Sequence, residues 1–168
     1  MIGAYKKIAS KLNATFSFTE QEIFVADNSS DTQLIFYIKV PHIGTTIEIR
    51  NHEGVLRMGD IEVDFTPTKP ISNFKIRPIN FIEKLFSKSA TGYTIKGKDT
   101  AIFLNQNKAL SNLLELNKTS PFNPVIIGSQ GQTHFNILTE YNLNLEDNTL
   151  VIPLLVDFYK SILDQYAK

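Results

Sequence analysis

The sequence predicts an α+β domain, an antiparallel sheet or sheets with helices packed on one face. Two features of the pattern carry this expectation. From about residue 16 to residue 65, short runs with every second residue apolar follow one another without an intervening helical stretch. Apolar residues at helical spacing stand before and after the strand runs instead of alternating with them singly. Size and composition agree: 168 residues with 42% hydrophobic and 20% charged side chains describe a globular chain long enough to bury a core without metal or disulfide. We expect a single domain over 1–168. Each half runs helix, strands, helix, so 1–87 and 88–168 are possible similar sub-lobes, although no residue-level repeat marks a duplication.

The elements follow in order. Ile2, Tyr5, Ile8 with Ala9, and Leu12 recur at helical spacing and leave Lys6, Lys7 and Lys11 opposite, which predicts an opening amphipathic helix. Phe16 with Phe18, then Ile23 to Val25, predict two short strands joined at Thr19 to Glu22, and Asn28 to Asp31 is loop chemistry. Leu34 to Val40 is rich in β-formers. Thr45 to Arg50 places Ile47 and Ile49 inward, and Ile61, Val63 and Phe65 alternate against Glu62 and Asp64, so an antiparallel meander with one wet face is expected.

Pro67 and Pro70 interrupt the pattern and Phe74 with Ile76 resumes it. Pro78 then suits the first turn of a helix over 79–87. Gly92 and Gly97 bracket a short strand, and Asp99 is a candidate N-cap for one helical stretch reaching Leu114. The two prolines in Asn117 to Pro124 make a loop. Val125 to Ile127 and Phe135 to Leu138 flank a GSQG turn and predict a hairpin; Tyr141, Leu143 and Leu145 alternate, and Leu150 to Ile152 reads as a further strand. A closing helix carries Leu155, Phe158, Tyr159, Ile162, Leu163 and Tyr166 as one stripe.

Formal charge is zero overall, yet residues 69 to 118 carry nine basic and three acidic side chains. That stretch invites a nucleic-acid reading. Its aromatics, Phe74, Phe81, Phe86 and Tyr93, fall on the same spacing as the aliphatics and read as core, and the whole chain has only three arginines, so nucleic acid is not the expected partner. The absence of cysteine removes disulfides, thiolate metal sites and a cysteine nucleophile, and suits a reducing, cytoplasmic setting. The start lacks the apolar core of a secretory signal. Leu150 to Val156, the longest apolar run, falls far short of the roughly 20 residues of a membrane span, so a soluble, mature chain is expected.

Four constellations could carry chemistry. His42 and His52 both sit in turn-like tetrapeptides, and an extended strand between them would hold them roughly 33 Å apart, too far to share an ion. His134 has no neighbouring carboxylate in sequence. GSQG, residues 128 to 131, fits neither a nucleophile elbow nor a phosphate loop, because β-like runs flank it on both sides. Glu48, Glu62 and Asp64 share the wet side of what read as neighbouring strands and could serve a metal-assisted or acid-base hydrolase, with Arg50 placed to pair with Glu62 or Asp60. Lys75 and Arg77 could bind a phosphate or lipid headgroup.

FKIRP and TGYTIKGKDTAIFLN also carry a resemblance. Gly44 to Ile49 has the form G-x-x-apolar-x-apolar, and Phe74 to Pro78 the form F-x-apolar-R-P. A T-G step at Thr91 and Gly92, a glycine-charged step at Gly97 to Asp99 and a leucine-rich helix come after it. This order resembles a widespread group of bacterial domains of unknown function. The resemblance implies an uncharacterised α+β domain; other members are often attached to membrane-spanning helices, which this chain lacks, and no active residues transfer from the group.

The strand rhythm therefore predicts ionisable groups set apart and outward around a dry, inert interior. No cofactor or metal site is expected. The leading expectation is a non-enzymatic binding or assembly module, working through a groove between lobes or an exposed strand edge, with a protein partner or self-association.

Overall fold

The computed structural model describes residues 1–25, 29–79, 92–116, 122–145 and 147–167. Eight strands form one antiparallel sheet: β1 (Thr15–Val25), β2 (Ser29–His42), β3 (Thr45–Glu53), β4 (Met58–Phe65), β5 (Phe74–Pro78), β6 (Tyr93–Lys96), β7 (Val125–Gln130) and β8 (Phe135–Asn142). Their spatial order is β1-β2-β3-β4-β8-β7-β5-β6. The first four are a meander. β8 then pairs with β4, Phe135 opposite Phe65, and carries the sheet on to β7, β5 and β6.

Period-two alternation decides which face is covered. Ile47 and Ile49 on β3, Ile61, Val63 and Phe65 on β4, and Phe135, Ile137 and Tyr141 on β8 are buried, while Glu48, Arg50, Glu62, Asp64 and Glu140 between them face solvent. The helices lie over the buried face: α1 (Ile2–Lys11), α2 (Lys98–Gln106), α3 (Lys108–Glu115) and α4 (Val151–Tyr166). The Tyr5 ring of α1 stacks on Phe36 at 4.1 Å. α4 buries the whole expected stripe, and its Tyr159 hydroxyl donates to the Ile61 carbonyl at 2.7 Å, pinning helix to sheet. The α+β class and the one-sided helical layer are as the sequence predicts.

Several elements differ from expectation, each for a physical reason. β1 is one strand, because its polar middle, Thr19 to Glu22, is paired with β2 throughout and needs no buried face. Ser29 to Asp31 extend β2 instead of forming a loop. Pro78 ends β5 opposite Tyr93, and the backbone N–H of Ile79 donates to Gly92; the remainder of the expected helix, 80–87, lies outside the described residues, as do 117–121 of the expected loop. The stretch from Asp99 to Leu114 is two helices. Gly97, not Asp99, is the N-cap of α2, and Asn107 ends α2 and caps α3 by accepting from the Leu110 N–H at 2.8 Å. Leu150 to Ile152 is no strand: a 3₁₀ turn runs from Asn148 to Leu150, and Pro153 fits the first turn of α4, where its missing N–H costs nothing. Gly128 and Ser129 belong to β7, so the GSQG turn shrinks to Gly131 and its neighbours. Gly128 is bare because the Phe74 ring occupies the space a Cβ would take.

Candidate functional site

The wet face presents charges in cross-strand rows. Tyr37, Arg50, Asp60 and Glu140 face each other across β2, β3, β4 and β8, and the next row reads Lys39, Glu48, Glu62 and Leu138. Arg50 grips Asp60 with two hydrogen bonds, 2.9 and 3.0 Å, which raise its already high pKa, and Lys39 pairs with Glu48 at 2.8 Å. The face thus brings the expected carboxylates together, with Glu48 directly opposite Glu62. Each is already engaged. Asn136 donates to Glu62 at 2.7 Å and to Asp64 at 3.1 Å, and the depression over Lys39, Glu48, Arg50, Asp60 and Glu62 holds only about 120 Å³. No group of three or more His, Asp or Glu side chains is placed to hold a metal ion among the described residues.

The histidines are separated by strand. His42 ends β2 and meets Asp164 of α4 at 3.1 Å. His52 is in β3 and not in a turn; burial lowers its pKa, and the nearby Arg50 charge lowers it further. His134, which sequence left without neighbours, contacts the Thr66 hydroxyl at 3.2 Å and lines an open cleft of about 540 Å³ with Thr45, Asp64, Thr66 and Ile43. Ile43 and Gly44 form the two-residue β2–β3 loop, both with positive φ, 44° and 71°. That is the geometry of a type I′ turn, which a β-branched residue adopts only under strain.

The interior is not wholly apolar. β3 turns polar at its inner end, and Asn51 and Glu53 are buried on the parity of Ile47 and Ile49. A directed chain of hydrogen bonds runs there. The Tyr141 hydroxyl donates to Asn51 Oδ1 at 2.6 Å, Asn51 Nδ2 to the Tyr5 hydroxyl at 3.0 Å, and Tyr5 to Glu53 Oε1 at 2.7 Å. Asn148 Nδ2 closes it by donating to both Glu53 oxygens at 2.9 Å. Burial, reinforced by the bond to Glu53, pushes the Tyr5 pKa far up, and burial does the same to Tyr141. Sequence reasoning missed this cluster, although strand parity signals it. Its donors are neutral, Tyr5, Asn51, Glu53 and Tyr141 are buried and Asn148 is half-buried, and the hydrogen-bond chain fastens α1, β3, β8 and the 3₁₀ turn together.

Lys75 and Arg77 stand on one face of β5. Lys75 faces Lys96 directly across the β5–β6 pair, and the two lysines border an open hollow of about 300 Å³ that includes Asn73 and Ser129. The Arg77 guanidinium bonds the Pro78 carbonyl at 3.1 Å.

Of the two edge strands among the described residues, β1 and β6, the longer by far is β1. β1 is eleven residues long and pairs with β2 in unbroken register from Thr15–Lys39 to Val25–Ser29, and among the described residues no strand lies on its other side. β3 supports β2 only as far as Leu34, and the Leu56 backbone holds the buried Gln33 side chain by two hydrogen bonds, so it is the hairpin beyond Gln21 that projects as a two-stranded arm. Phe24 is 83% exposed near its tip, and Phe18 is 40% exposed. Edge strands are ordinarily protected by charge, proline, bulges or brevity; β1 is long and regular, without proline or bulge, and its charges are Glu20 and Glu22 alone.

Comparison with protein-family models, curated proteins and solved structures finds no match. Among the described residues, no helix is long and apolar enough to cross a membrane.

Proposed function

We propose that this chain is a non-enzymatic binding or assembly module that captures an extended segment of another polypeptide as an added strand on the free edge of β1. The observation that carries the reading is that edge: eleven residues in regular register, without proline, glycine, lysine or bulge. Backbone groups along such an edge supply affinity, and alternate side chains supply choice of partner. Engagement of Glu48, Glu62 and Asp64 with Lys39 and Asn136 weighs against the hydrolase. The lack of cysteine suits work in a reducing, cytoplasmic setting.

Selection of displayed extended peptides on the immobilised chain tests the reading. Binders are expected to slow amide exchange across Thr15–Val25 and to weaken when Asn-Gly replaces Glu22 to Thr32. Binders that seat elsewhere and ignore the shortened arm would overturn it.

A second reading has one specific support. Like charges directly opposite on a sheet repel, and the Lys75–Lys96 pair is such an opposition, which a bound phosphate or headgroup would relieve. Retention on a phosphate resin should then fall with salt and with Lys75→Glu; retention indifferent to both rejects it.

A further inference from the structure

This inference rests on strand addition at β1 and concerns the chemistry of the incoming segment. Alternation puts Phe16, Phe18, Glu20, Glu22 and Phe24 on the side of the sheet that carries the helices, and Thr15, Ser17, Thr19, Gln21 and Ile23 on the other. Phe16 and Phe18 stack at 6.2 Å, and their rings lie 6.3 and 6.2 Å from that of the buried Phe36, so this end of the edge is an apolar extension of the core. Glu20 and Glu22 follow. Both are exposed, their partners on β2 are Leu34 and Thr32, and no ion pair among the described residues involves either. No lysine or arginine occurs anywhere from Leu12 to Ile38, a stretch with four acidic residues. Phe24 closes the series.

Residues directly opposite in an antiparallel pair share a face, and opposite charges there attract while like charges repel. The geometry points to a partner strand that carries lysine or arginine at two alternate positions, opposite Glu20 and Glu22, with apolar residues at the next alternate positions, opposite Phe18 and Phe24. The residues in between meet Thr19, Gln21 and Ile23, so small polar or β-branched side chains suit them. The same arithmetic disfavours a second copy of β1. The antiparallel register that uses the whole strand sets Glu20 against Glu20 of the other copy and offers Glu22 only Phe18.

A capped heptapeptide, Ile-Thr-Lys-Thr-Lys-Thr-Ile, has this pattern, and its counterpart with glutamate for lysine reverses it. Fluorescence anisotropy at low salt, with amide exchange over Thr15–Val25, reads the outcome. The lysine peptide should slow exchange along β1 and bind roughly tenfold more tightly than the glutamate peptide, an advantage that added salt erodes. The exposed double variant Glu20→Lys/Glu22→Lys should invert the preference. Equal protection of β1 by both peptides would overturn the charge selection and leave strand addition standing. No protection by either would remove both. Protection of β1 without peptide, together with a dimer in light scattering, would make a second copy the occupant and overturn the inference.

Discussion

Glu53 occupies a position where the alternation of β3 calls for an aliphatic side chain. It is 5% exposed and takes its hydrogen bonds from Tyr5 and Asn148, without a cation. Such a group is costly to isolate and costly to lose, because its donors were desolvated to meet it. Glu53→Leu is expected to cost about 2–4 kcal/mol in urea unfolding, and Glu53→Gln, which keeps an acceptor for the Tyr5 hydroxyl, should cost less. Ile43 is the opposite case, a residue whose backbone resists it. At φ 44° in the β2–β3 loop, Ile43→Asn should raise stability by roughly 0.5–1 kcal/mol, measured the same way, because asparagine tolerates the left-handed region.

At the level of elements, what the sequence could reveal depended on whether a core was there to impose a period. β3, β4, β8 and α4 are legible because their buried residues recur at two or near 3.6, and α1 because Tyr5 and Ala9 lie one turn apart. The polar middle of β1 is not, since Thr19 to Glu22 have no buried side to alternate against. The start of α4 was misread because Leu150 to Val156 is apolar on every side, and a short apolar run does not distinguish a buried strand from a buried helix. Of the candidate sites, the wet-face carboxylates were legible from parity and the Glu53 cluster could have been, because Asn51 and Glu53 keep the inward phase of Ile47 and Ile49. The projecting arm depends on which strands stop short, and that is a property of tertiary pairing. An unsupported two-stranded ribbon contributes little stability. Replacing Glu22 to Thr32 by Asn-Gly should therefore move the melting temperature by less than about 4 °C in calorimetry, and a larger drop would mean that the arm packs on the body.

Across the whole molecule, buried tyrosine hydroxyls tie elements together: Tyr5 and Tyr159 join helix to sheet, Tyr141 joins β8 to β3, and Tyr93 of β6 holds the Phe122 carbonyl. Tyr5, Tyr93, Tyr141 and Tyr159 all have pKa values raised chiefly by burial. A folded-state value above the unfolded one, about 10, means that the stability these groups contribute is complete below pH 10 and is lost as pH rises beyond it. The tyrosinate absorbance near 295 nm that these four of the six tyrosines contribute should accordingly rise together with the loss of near-ultraviolet dichroism in alkali; ionisation of these four well ahead of unfolding would contradict their burial. The place of β8 has a consequence in time. β4 acquires its second neighbour only when Phe135 to Asn142 have been made, since Phe65 pairs with Phe135. At ordinary rates of translation the gap is on the order of ten seconds. For that interval the nascent meander exposes Ile61, Val63 and Phe65 with β3 on one side and no strand on the other, so a ribosome that stalls between β4 and β8 leaves a sticky half-sheet in need of a chaperone.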